Sequence, residues 1–580
     1  MGRLLKRMGL PLLTKELIEQ AARRRTWVLR TVYLACVFTF CMLITADRWN
    51  TNHLFSVLGT GGRIFDLLIG IQFFGVYLLV PLVSFGLITA EKERDSLQLL
   101  ILTRLTPGTI LIEKLLSRLV PLALFLIATL PLLAAAYSYG GVSTPMLANA
   151  VLCLVTTGFY LASIALCVST LAATSVSAFF WTLAAGAAVT IGPVFLTWMV
   201  WDLLDLRHSD LWPGFEPENS MMLMGPYVFY EREDQTFYEC LLRNVPQLVA
   251  GVVCLVTARL AMPRVSLSGR TTFRRRIRQF VESVFGKIIP QASKQSLPDQ
   301  APITWVELRH GLLSRPLYLV LQLVIVGGLA FAGILIAFSS GSRHDVAEFS
   351  IFCHSVLWIA GPLMICGRAS TLFGTERSRQ TLDVLLTTPT TTRDILRQKM
   401  ASVWSLIIYL LIMFGLISAV NAVAGAHYDN SRHSVLIVIP ATMITAAIYL
   451  PMLAWMSMAY SLRVKTAGRA TVFSVVTLVV WCIGPPVFCV MCMMFGSGPG
   501  NEEGFFAFVM PVLTPAMTPI INIIAFFDDD PLDEWYPVSV IWNSILYGAV
   551  LAAFRWYCLE NASEALDRLD RDSEPARNHS

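Results

Sequence analysis

The sequence predicts an all-α polytopic membrane protein with about twelve transmembrane helices arranged as two parallel six-helix repeats, plus amphipathic interfacial helices and short cytosolic helices. Three observations carry this expectation. Of 580 residues, 55% are hydrophobic and only 14% charged, with a mean hydropathy of +0.63, far more apolar surface than one soluble core can bury. Apolar runs near or above the roughly 20 residues that cross a bilayer as helix recur along the chain, whereas a barrel would show short alternating segments. A charged segment also occurs twice, 285 residues apart, each time directly after a long apolar run.

In the first half the spans fall at about 27–46, 64–88, 119–138, 147–172, 176–201 and 240–261. The second half repeats them at about 317–338, 349–373, 403–424, 433–461, 468–495 and 536–558. Arg243 and Arg259 lie near the ends of the sixth, where long side chains reach the interface.

Lys and Arg collect on the cytoplasmic side of membrane proteins. Residues 1–26 hold seven basic against two acidic side chains, residues 259–294 nine against one, and residues 462–469 three against none. Residues 202–239 hold nine acidic against two basic, and residues 496–535 seven acidic and no basic. Both termini are therefore expected in the cytoplasm, in a multi-pass protein of the plasma (inner) membrane. The first apolar run follows a charged 26-residue segment and is too long for a signal-peptide core, so no cleavage is expected.

Six spans per half is an even number, so both halves enter the membrane from the same side and are related by an axis along its normal. The chain divides into a first half (1–262), a basic amphipathic cytosolic linker (263–300), a second half (301–560) and a polar cytosolic tail (561–580). Each half opens with an amphipathic segment that begins with Pro, Pro11 to Leu17 and Pro302 to Leu308. Leu13, Leu17 and Ala21, and likewise Trp305, Leu308 and Leu312, fall on one helical face, as in a helix lying along the inner membrane surface. The linker places Ile277, Phe280, Val281, Val284, Phe285 and Ile288 at helical spacing beside Arg274, Arg275, Arg276 and Arg278. A basic helix on the inner leaflet fits better than a nucleic-acid site, because the apolar face needs covering.

The outer loops before the sixth and twelfth spans are acidic and rich in Pro and aromatics, which suggests short re-entrant helices. Asp528, Asp529, Asp530, Asp533 and Glu534 read as a solvated rim rather than a cation site. Most of the twelve cysteines lie within spans and read as small buried residues. Cys489 and Cys492 form a CxxC in an apolar helix without partner ligands, so no metal is expected.

The repeated segment runs from Glu91 to Lys114 and from Glu376 to Lys399, with nine of 24 positions identical and no gap. The identities are Glu91/Glu376, Arg94/Arg379, Leu97/Leu382, Leu100/Leu385, Thr103/Thr388, Thr106/Thr391, Ile110/Ile395, Leu111/Leu396 and Lys114/Lys399. Leucines at helical spacing predict a short helix on the cytosolic rim. Pro389 breaks it, and a Thr or Asp within 390–394 caps a second helix leading into the next span.

The pattern Glu-Arg-x-x-x-Thr-Leu-x-x-Leu-Leu-Thr-Thr-Pro at Glu376 to Pro389, followed by Ile395 and Lys399, resembles the loop between the second and third spans of type 2 ABC transporter permeases. In that family the loop forms the coupling helix that rests on the ATPase subunit. The usual member has six spans and works as a dimer, so this chain resembles two such permeases fused. The first copy carries Arg104 where the pattern has Pro, with Pro107 and Gly108 displaced.

The resemblance implies the membrane-spanning permease subunit of an ABC exporter, coupled to separate ATPase subunits, two per chain. Coupling residues would be Glu91, Arg94, Leu97, Leu100, Thr103, Glu376, Arg379, Leu382, Leu385 and Thr388, the charged ones for docking and the leucines as the buried face. No G-x-x-x-x-G-K-[ST] phosphate loop occurs, so ATP and magnesium are expected on the partner and no cofactor or catalytic residue in this chain. A secondary carrier of the major facilitator kind shares the span count, but its Gly-x-x-x-Asp-Arg-x-Gly-Arg pattern is missing after the second span. An intramembrane lipid-modifying enzyme would need paired His, Asp or Glu at a common depth, which the spans do not offer.

Overall fold

The computed structural model describes residues 10–22, 27–28, 31, 33–35, 37–39, 61–93, 96–102, 105–172, 174–186, 237–268, 301–310, 343–378, 381–388, 390–428, 432–464, 466–495, 512 and 535–566. The predicted spans at 27–46, for the most part, and at 317–338 lie outside the described residues. So do 269–300 of the linker, nearly all of the acidic outer loops, and the tail beyond 566.

The described residues are largely helical with no strand among them, and seven of their helices are long and apolar enough to cross a membrane. A further apolar helix at Ser175–Gly186 is shorter, and Gln247–Pro263 and Ala467–Cys482 are apolar stretches within longer helices. Such a set of helices is that of a membrane-embedded protein. The chain forms two compact units, Met1–Gln279 and Phe280–Ser580, so the division falls inside the predicted linker.

In unit 1, α1 (Pro11–Ala22) precedes α2 (Gly61–Ser84), two short helices α3 (Thr89–Glu93) and α4 (Leu97–Ile101), then α5 (Pro107–Ser138) and α6 (Thr144–Leu171). Next come α7 (Ser175–Gly186) and α8 (Phe237–Ser268). Helix α6 sits between α2 and α8, and its Leu161, Ile164 and Leu166 share a core with Phe65, Leu68 and Phe73 of α2. Small residues bring α6 and α8 close: a Cβ on Gly251 would lie 2.8 Å from the Phe159 ring. A buried polar pair completes the seam, with Thr156 donating to Asn244 Oδ1 at 2.8 Å, and Gln72 of α2 donates to Thr129 of α5 at 2.5 Å. The turn from α5 to α6 uses Gly140 (φ 80°) and Gly141 (φ 83°), the left-handed region that Gly enters freely. Ser143 then caps α6 by accepting from Met146 N.

Unit 2 contains α9 (Pro302–His310), α10 (Arg343–Ser378), α11 (Leu382–Leu386), α12 (Thr392–Tyr428), α13 (Arg432–Arg463), α14 (Ala467–Phe495), α15 (Trp535–Glu560) and α16 (Ala562–Ala565). Helix α13 is central, packed against α10, α12, α14 and α15, and buries Leu450, Leu453, Met456 and Met458. Its Tyr449 hydroxyl donates to Asn543 Oδ1 of α15 at 2.6 Å, so in both units an asparagine near the start of the last long helix accepts a hydroxyl from the helix corresponding to the fourth span.

Helix α10 approaches the start of α14 through Gly374, where an added Cβ would stand 2.6 Å from the Ala467 Cα and 2.7 Å from its N. Backbone cannot yield as a side-chain tip can. Gly374→Ala should therefore displace the end of α10 and destabilise unit 2 by about 1–3 kcal/mol, the range for overpacking. Unfolding of the purified protein in detergent measures this; a change below about 0.5 kcal/mol contradicts the close approach.

Candidate functional site

Each charged loop begins with a glutamate that its own unit engages. In unit 1 the Lys114 ammonium lies 3.2 Å from Glu16 Oε1 of α1 and 3.2 Å from Glu91 Oε1 of α3. In unit 2 Lys399 donates to Glu307 Oε1 of α9 at 2.9 Å, to Glu376 Oε1 at 3.3 Å and to the Leu372 carbonyl at 3.0 Å. The lysine side chains are 5% and 1% exposed. One ammonium thus joins the leading helix, the loop and the long helix after the loop, and in unit 2 all three of its N–H donors are used.

A cation this deep requires close counter-charges. Each cluster is balanced by an arginine, but not from the same place: Arg118 of α5 stands 3.8 Å from Glu16 Oε2, and Arg368 of α10 stands 3.1 Å from Glu307 Oε2. Among the described residues, each group thus joins two cations to two carboxylates. The leading helices are further held at their N-termini, where free N–H groups need acceptors. Leu13 N donates to Glu113 Oε2 at 3.0 Å and Ile303 N to Gln398 Oε1 at 3.2 Å.

The loops share a backbone frame. Ser96 N donates to the Glu91 carbonyl and Thr381 N to the Glu376 carbonyl, both at 3.0 Å, and the Ser96 and Thr381 hydroxyls donate to the glutamate side chains. Thr106 accepts from Thr109 N at 3.3 Å and Thr391 from Asp394 N at 3.2 Å, which starts α5 and α12.

The residue after each glutamate is basic and ties the loop to the helix corresponding to the fourth span. Lys92 donates to the carbonyls of Ser169, Thr170 and Ala172 (the last at 3.0 Å), all at the C-terminus of α6. Arg377 donates to the carbonyls of Leu462 at 2.6 Å and Val464 at 3.3 Å, at the C-terminus of α13. Cations there satisfy the last helical carbonyls and complement the helix dipole.

Among the predicted coupling residues, Arg94, Thr103 and Arg379 lie outside the described residues. Glu91 and Glu376 join the lysine clusters. Leu97 is buried in the core of unit 1, with Leu100 half-buried against it, and Leu382 and Leu385 pack likewise on the core of unit 2. Thr388 donates to the Leu385 carbonyl at 2.7 Å and so closes α11. The apolar side chains that the short helices leave uncovered are others: Leu99 is 68% exposed, Leu102 just after α4 81%, and Val384 of α11 68%. Leu99 and Val384 occupy matching positions, 285 apart.

Sequence reasoning named Lys114 and Lys399 as identities without giving them a role, and it placed Glu16 and Glu307 only within amphipathic segments. Their joint recurrence was the available signal. Lys92 and Arg377 carried a weaker one, a basic residue at the same offset. Among the described residues no group of three or more His, Cys, Asp or Glu could hold a metal ion. Compared with known proteins, the chain matches no protein-family model and no curated protein.

Proposed function

We propose that this chain is the membrane-spanning permease subunit of an ABC exporter, two six-span units fused, with both loops cytoplasmic and each resting on a separate ATPase subunit. The observation that carries the reading is the duplicated loop as built. A short helix exposes an apolar side chain, Leu99 or Val384, while a buried lysine fixes its root to the long helix that follows.

A push on such a helix passes to α5 or α12 through a salt-bridged joint rather than being lost in a slack loop. ATP binding that draws two ATPase subunits together would then rock the two halves about a central path. No phosphate loop occurs in the sequence, so the nucleotide sites belong to the partner, with ATP and magnesium bound there. The twelve-span topology, the inner-membrane location and the cytoplasmic termini belong to the same proposal, supported by the Lys and Arg distribution.

Gentle isolation from native membranes tests it: ATPase subunits should co-purify, two per chain. The change Val384→Asp, which leaves the lysine cluster and the core untouched, should lower both association and stimulation of ATP hydrolysis. Isolation with no ATPase subunit attached, or transport driven by an ion gradient without ATP, sinks the exporter reading.

A further inference from the structure

The two loops are moored differently, and the difference lies in what holds them beyond the lysine clusters. On the first loop, Glu93 accepts from Ser175 N at 2.7 Å and from its hydroxyl at 2.9 Å, so the end of α3 caps the start of α7. The matching position on the second loop is Ser378, which has no carboxylate. There Arg377 takes over a second tie and donates to the Ala565 carbonyl at 3.2 Å, in addition to the α13 carbonyls. Ala565 lies beyond the last long helix, in a turn that folds back on the unit.

That turn is built into the core. Ala562 and Leu566 are buried with Ile395 and Leu396 of α12 and Leu462 of α13. Asn561 N donates to the Tyr557 carbonyl at 3.1 Å and Ala565 N to the Asn561 carbonyl at 2.9 Å, which carries the helical path past Glu560. Arg393, in the first turn of α12, adds an exposed ion pair to Glu560 at 3.5 Å, a contact that contributes little by itself. Arg377 therefore grips three segments: its own loop root, the end of α13 and the C-terminal turn.

We propose that residues 561–566 form a latch that positions the second loop through Arg377, whereas the first loop is positioned by the start of α7. The functional half of this inference rests on the loops being coupling elements. On that basis motion of the second coupling helix is shared with the last long helix of its unit, and the two loops transmit unequally. Arg377 is a positioning residue: its guanidinium acts through the segments that it holds.

The test uses the full-length protein in lipid nanodiscs. One variant stops after Glu560, a second is Arg377→Ala with the C-terminal turn intact, and Arg393→Ala removes only the exposed pair. Hydrogen exchange is read over 381–388 and 96–102. Hydrogen bonds from a charged group contribute enough that local opening of 381–388 should rise about tenfold or more in the first two variants. It should stay unchanged over 96–102 and in Arg393→Ala.

No change over 381–388, or an equal rise in both segments, overturns the latch. With the ATPase subunit present, the maximal stimulated rate should fall while the subunit concentration for half-maximal stimulation stays fixed. A shift in that concentration alone overturns the positioning role. If no ATPase subunit binds at all, the exporter reading fails, and the exchange measurement still decides the latch.

Discussion

Lys399→Met is expected to destabilise unit 2 by about 3–5 kcal/mol, the cost of breaking a buried ion pair by removing one partner. The ammonium is 1% exposed and donates three hydrogen bonds, two of them to carboxylates. Its loss leaves Glu307 and Glu376 close together without the ammonium that both of them contact, so two carboxylates lose a shared counter-charge in a poorly solvated place. Met retains most of the aliphatic volume, which limits any cavity contribution.

The neighbours of Lys399 define what should fail with it. Helix α9 and the root of the second loop both lean on Lys399, so hydrogen exchange should quicken over 302–310 and 381–388 together, while 10–22 and 96–102 are unaffected. Lys114→Met should behave alike in unit 1 with a smaller loss, because among the described residues Lys114 bridges the two carboxylates without a third bond like that of Lys399 to the Leu372 carbonyl. Unfolding in detergent measures the size and exchange measures the location. A change within about 0.5 kcal/mol would mean that the cluster is not what joins these elements.

Much of this arrangement was legible in the sequence, and the parts that were not share a physical reason. Among the described residues, hydropathy located helices but not their lengths. The predicted span at 403–424 is the apolar middle of α12, which runs from Thr392 to Tyr428 because the backbone ladder continues through Arg393, Asp394 and Lys399. Leucine spacing located α4 and α11, yet both sides of so short a helix are apolar. Leu97 and Leu99 are equally hydrophobic, and only the tertiary fold decides that the first is buried and the second exposed.

The glutamates were harder still. A charge at the end of an apolar run reads as a contact for water or a partner. Lys114 lies 23 positions after Glu91, across a helix, a turn and another helix, and only that hairpin returns it to the same depth. The arginines that balance the clusters, Arg118 and Arg368, come from non-equivalent positions, so a comparison of the two copies could not reveal them.

The exposed side chains lead to the second large effect. If the chain is the permease proposed above, Leu99→Asp combined with Leu102→Asp, and separately Val384→Asp, should each reduce association with its ATPase subunit at least tenfold, about 1.4 kcal/mol, while leaving the fold of the chain intact. These side chains project from the short helices and are 68%, 81% and 68% exposed. Surface substitutions of this kind generally change stability by less than about 0.5 kcal/mol. Buried in an interface they become anchors, and a carboxylate there is stranded without a partner.

Leu97→Ala should show the opposite pattern. Its side chain fills the core of unit 1, so removing it costs about 2–5 kcal/mol of stability, and association suffers only as the loop loosens. Among the described side chains, the first loop leaves Leu99 and Leu102 uncovered, where the second leaves Val384 and the exposed Thr387 at the position matching Leu102. The first pair should therefore bind more through apolar contact and lose more on substitution, although the second loop carries the fuller sequence pattern. Quantitative pull-down of the ATPase subunit, set beside unfolding of each variant, separates the two classes. If the aspartate variants bind as well as the parent while Leu97→Ala does not, the docking surface is not the exposed face of these helices.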